Sequence, residues 1–91
     1  MLYIVIIEYK DDAPADIIQK VSDLLLSIGE SIQLSRHSFF LFTDATAVEI
    51  RDAIKNSPYE ISSILVSTIS SPSAWRNLLP ENDDIKEFLH K

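Results

Sequence analysis

The chain has no cysteine, one glycine and four prolines among its 91 residues. The first absence removes disulfides, thiolate nucleophiles and thiolate metal sites together. With a single glycine, no glycine-rich loop is present to cradle a phosphate. The two histidines, His37 and His90, lie far apart and give no metal-ligand spacing. No serine sits in a nucleophile-elbow sequence, so a serine–histidine–acid set has no starting point. Basic residues are scarce: eight, against fourteen acidic ones, for a net charge of −6. Affinity for nucleic acid comes mainly from Lys and Arg neutralising phosphates, so this balance disfavours a broad DNA or RNA face. It points instead to a protein partner, one with a basic surface. No apolar run approaches the roughly 20 residues that a membrane helix needs. The start has neither the basic residues nor the small-residue cleavage site of a secretory signal. A cytoplasmic protein without membrane contact is the expectation.

What is present is a well-punctuated small domain. Hydrophobic residues make up 46% of the chain and charged ones 24%, a balance that supports a packed core. The run Leu2-Tyr3-Ile4-Val5-Ile6-Ile7 is apolar at odd and even positions alike. Side chains alternate faces along a strand, so this strand must be covered on both faces of its sheet. It ends in Glu8-Tyr9-Lys10-Asp11-Asp12, and strand exits are where sheet proteins commonly place their chemistry.

Next, Ile17, Ile18, Val21, Leu24, Leu25 and Ile28 fall on one helical face. Pro14 suits the first turn, Asp12 or Ala13 the cap, and Gly29 the end. Residues 31–35 alternate polar and apolar as a half-buried strand does, and Arg36 and His37 form a hairpin tip. Residues 38–43 follow as a second strand that is apolar on both faces. Thr46-Ala47-Val48-Glu49 has capping-box spacing and opens a helix with Ile50, Ala53 and Ile54 inward, stopped by Asn56-Ser57-Pro58. Residues 61–70 are rich in β-branched types and read as the last strand. Beyond it, Trp75, Leu78 and Leu79 form an apolar patch. Asn82-Asp83-Asp84 can then cap a short helix with Ile85, Phe88 and Leu89 inward.

The order strand, helix, strand, strand, helix, strand is the split βαβ pattern of an α+β ferredoxin-like βαββαβ sandwich, residues 1–70. Residues 71–91 form a C-terminal tail with its short helix. Two helices cover only one face of such a sheet, and the other would expose Tyr3 to Ile7 and Phe39 to Phe42. Either the tail covers it or a second copy does. A twofold homodimer packed sheet to sheet, with tails crossing over, is the favoured expectation, with Phe40, Phe42, Trp75, Leu78 and Leu79 at the interface.

Three segments carry a resemblance to a known family. They are Ile6-Ile7-Glu8-Tyr9, residues 38–52 with their Thr43-Asp44 turn and Glu49-Ile50-Arg51-Asp52 helix start, and residues 64–69 followed by Ala74-Trp75. The chain resembles the small CRISPR-associated spacer-acquisition nucleases (the second Cas protein) and their stand-alone relatives, often labelled SinR-like. The resemblance implies a ferredoxin-like fold and homodimerisation. In active relatives it also implies a metal ion between paired aspartates at the ends of the first strands. Such a pair would hold Mg²⁺ and activate water for phosphodiester attack. This chain departs there, because Lys10 stands where the aspartate is expected, and an ammonium repels a divalent cation.

The expectation is therefore a non-catalytic, dimeric protein-binding module without cofactor. Its settings would be a scaffold in a nucleic-acid-processing complex or an acidic inhibitor of a defence protein. Two alternatives remain beside it. One is a Mg²⁺-dependent endonuclease using Asp11, Asp12 and Glu8. The other is a nucleic-acid or partner contact through Lys10, Arg36 and His37, with Lys55 joining the basic patch.

Overall fold

A computed structural model describes residues 1–10, 15–70 and 73–91 of the protein. The elements in chain order are β1 (Leu2–Tyr9), α1 (Ala15–Ile28), β2 (Glu30–Ser35), β3 (Ser38–Phe42), α2 (Ala47–Lys55), β4 (Ile61–Thr68) and α3 (Asn82–Leu89). The four strands form one antiparallel sheet in the order β2-β3-β1-β4, so β1 and β3 lie in the middle. This is an α+β architecture. The cap expected at Asp12 or Ala13, with Pro14 in the first turn of α1, lies outside the described residues.

Strand periodicity divides the core in two. Tyr3, Val5, Ile7 and Tyr9 of β1, with Phe39 and Leu41 of β3, meet Ile18, Val21 and Leu25 of α1 and Ile50 and Ile54 of α2. The intervening residues Leu2 of β1 and Phe40 of β3 turn to the opposite face. They pack there with Leu34 of β2 and Ile85 of α3. Each of the two central strands thus feeds both cores, which is why neither shows polar alternation.

The second face is covered from within the chain, by α3 and the segment before it. Ile85 is only 1% exposed, Phe88 stacks on Phe40 with centroids 6.2 Å apart, and Trp75, Leu78 and Leu89 complete the cluster. Of the two covers the sequence allows for this face, the chain's own tail is the one seen here. Phe40 is a core residue here, and Phe42 packs at the margin of the same cluster. Leu79 takes no part: its side chain is 68% exposed, while its amide donates to the Leu34 carbonyl at 2.9 Å along the outer edge of β2. Lys91 closes the layer, 2.6 Å from the Glu30 carboxylate and over the Phe88 ring.

Local signals divide between those the structure keeps and those it uses otherwise. The capping box is present: Thr46 Oγ1 accepts from the Glu49 amide at 3.1 Å, and Glu49 Oε1 from the Thr46 amide at 3.0 Å. Two other expected ends work differently. Gly29 follows α1 with no positive φ; a Cβ there would collide with the Phe42 carbonyl oxygen, so its role is close approach. The carbonyl of Ile28 is instead satisfied by Thr43 Oγ1 at 3.0 Å. At α3 the flanking residue is Glu81, without a side-chain cap bond, and Asn82 is the first helical residue. Its Oδ1 accepts from the Trp75 indole at 3.1 Å, tying the helix to the strap before it.

Candidate functional site

The exit of β1, the β2–β3 turn and the loop after α2 all come to one end of the sheet. Tyr9 pairs with Ile61 at the start of β4, and the Lys10 amide donates to the Glu60 carbonyl at 3.2 Å. Lys55, the last residue of α2, is at this same end, beside Tyr59 and Ile61. The topology therefore gathers Glu8, Tyr9, Lys10, Arg36, His37 and Lys55 here. Asp11 and Asp12, the two carboxylates of the nuclease alternative, lie outside the described residues.

The turn at Arg36 and His37 is not a freely solvated tip. The His37 carbonyl accepts from the Ile7 amide at 2.8 Å, which carries the β1–β3 ladder one residue further. His37 Nδ1 lies 3.0 Å from the Ile7 carbonyl, which can only accept, so Nδ1 carries the proton. The same nitrogen is 3.8 Å from Glu8 Oε2, within ion-pair reach whenever the ring is charged. The tip is also laced by its own side chains. The Gln33 amide donates to the Ser35 carbonyl at 3.0 Å, and the Ser35 and Ser38 hydroxyls meet.

Beneath His37 lies Tyr9, with ring centroids 5.7 Å apart. Its hydroxyl is buried and has no hydrogen-bond partner among the described residues. Burial raises the Tyr9 pKa above its ordinary value; the Arg36 charge opposes that rise and Glu8 adds to it. Sequence reasoning passed over this residue. Its odd position in β1, in step with Tyr3, Val5 and Ile7, was the available signal for burial. The arrival of the β2–β3 turn above it had no signal.

Charge at this end is mixed. Glu8 is an exposed carboxylate facing an imidazole, with Lys10 two residues on and Arg36 acting on the adjacent phenol. Magnesium takes near-octahedral oxygen coordination through carboxylates, and the described donors here do not fit it. Among the described residues no group of three or more His, Asp and Glu side chains is placed to hold a metal ion, here or elsewhere. As arranged, the described residues can hydrogen-bond and carry charge on a surface. No family model, curated protein or solved structure matches the chain. No helix among the described residues is long and apolar enough to cross a membrane.

Proposed function

We propose that the chain is a non-catalytic protein-binding module that works as a homodimer. In this reading it is a ferredoxin-like βαββαβ domain similar to the spacer-acquisition nucleases and their stand-alone relatives, without their metal site. The sheet order β2-β3-β1-β4 with α1 and α2 on one face supports the fold assignment. The observation that carries the functional reading is the exit of β1. There Lys10 follows Tyr9, and among the described residues the carboxylate of Glu8 faces His37. A partner with a basic surface matches the net charge of −6. A scaffold of a nucleic-acid-processing complex and an acidic inhibitor of a defence protein are the two settings that fit this chemistry.

The deciding experiment incubates the full chain with single- and double-stranded DNA and RNA in Mg²⁺ or Mn²⁺. The expected result is no cleavage above that of an Asp11→Ala/Asp12→Ala double variant. Metal-dependent cleavage that the double variant loses overturns the reading and restores the endonuclease. The placement of Lys10, Arg36 and Lys55 at one end favours a second reading, nucleic-acid binding. The same samples test it: a mobility shift that fades steeply with added salt would support a phosphate-contacting patch.

A further inference from the structure

The sheet has two edges, and they are built differently. The outer edge of β2 is occupied in part by the tail, through the Leu79 amide on the Leu34 carbonyl. It also begins at Glu30, a charged residue. β4 pairs with β1 on one side only, and among the described residues no strand lies beyond it. Soluble proteins guard such an edge with lysine, proline, inward charges or a covering element. The eight residues Ile61–Thr68 contain no charge and no proline.

Leu65, at the middle of that strand, is 55% exposed. It lies opposite Ile6 of β1, on the face that α3 covers elsewhere. Ile64 and Val66 point the other way, toward the α1–α2 core, and are partly buried. Two copies of β4 laid antiparallel about a twofold axis through Leu65 keep every side chain on its own face. Leu65 then meets Leu65, Ile64 meets Val66, and Ser63 meets Ser67. Matched pairs of this kind, apolar on apolar and hydroxyl on hydroxyl, are those that stabilise antiparallel ladders. The uncharged strand also gives two chains of net charge −6 a place to approach without direct repulsion.

We infer that β4 is a homodimerisation edge, pairing with β4 of a second copy around Leu65 to join two four-stranded sheets into one. The interface is isologous and uses the open edge of each copy, so it closes at two chains and does not propagate. It rests on the homodimer reading above and replaces the sheet-face contact with an edge contact.

Sedimentation equilibrium of the full chain between about 1 and about 100 μM reads the outcome. The expected result is a dimer whose dissociation constant rises about tenfold or more in Leu65→Lys, which sets like charges directly opposite. Far-UV circular dichroism checks that the variant is folded. A second variant is independent of that substitution. Because the chain lacks cysteine, Leu65→Cys should oxidise to a covalent dimer, and Leu26→Cys, exposed on α1, should do so far more slowly. A dimer unchanged by Leu65→Lys, or equal cross-linking at the two cysteine positions, overturns the edge and leaves the homodimer standing. A monomer across the whole range overturns both.

Discussion

A methyl group at Gly29 would strike the Phe42 carbonyl oxygen and lie 2.9 Å from the Thr43 Cβ, a backbone atom and the root of a β-branched side chain where β3 ends. Neither is the far end of a flexible side chain, so Gly29→Ala must displace strand against strand. Overpacking of this kind costs about 1–3 kcal/mol, and a lowered denaturation midpoint with unchanged far-UV spectrum is the expected result. An equally stable variant would mean that β2 and β3 can separate at little cost. Tyr9 makes the opposite case. Its buried hydroxyl lacks a partner among the described residues, so Tyr9→Phe should raise stability at pH 8 by about 1 kcal/mol. Burial, opposed by Arg36, leaves the folded pKa above the ordinary 10.0. The folded state then holds this proton more tightly than the unfolded chain. That stability is complete below about pH 10 and is lost as pH rises through the folded pKa. Denaturation curves at pH 8 and about pH 11 should show the advantage of Tyr9→Phe widening; a constant gap would contradict the burial argument.

Among the elements, α3 has the most to do with only eight residues. A helix that short has little stability of its own in water, so its packing must hold it. Ile85, 1% exposed, is the residue through which it docks on Leu2, Leu34 and Phe40. Ile85→Ala should cost about 2–5 kcal/mol. Hydrogen exchange should show amides of residues 82–89 losing protection before those of β1 and β3. Uniform loss across the molecule would mean that the tail and sheet melt as one unit. The helix itself was legible from Ile85, Phe88 and Leu89 at helical spacing. Where it docks was not, because the same apolar stripe fits its own sheet or that of a second copy. The role of Asn82 was equally hidden: its sequence position says cap, and only the arrival of the Trp75 indole spends its oxygen elsewhere.

For the molecule as a whole, two-sided apolarity in β1 and β3 correctly announced central strands and a sheet with two cores, since it depends only on alternation along a strand. Thr46 and Glu49 likewise announced their cap, a contact three residues apart. What could not be read were contacts between distant segments: the His37 ring on the Ile7 carbonyl, Thr43 on Ile28, and Leu79 on Leu34. Of the candidate site, the sequence placed Lys10 at the strand exit, while the neighbourhood of Tyr9, Arg36 and His37 came from the fold. The dependence of the second core on the tail also has an aspect of time. Every sheet residue in that core precedes residue 70, and α3 follows it. Until α3 docks on the closed sheet, Leu2 and Phe40 face water. A molecule whose sheet has closed while its tail is still undocked therefore offers a sticky surface that the docked state does not, of the kind that promotes aggregation.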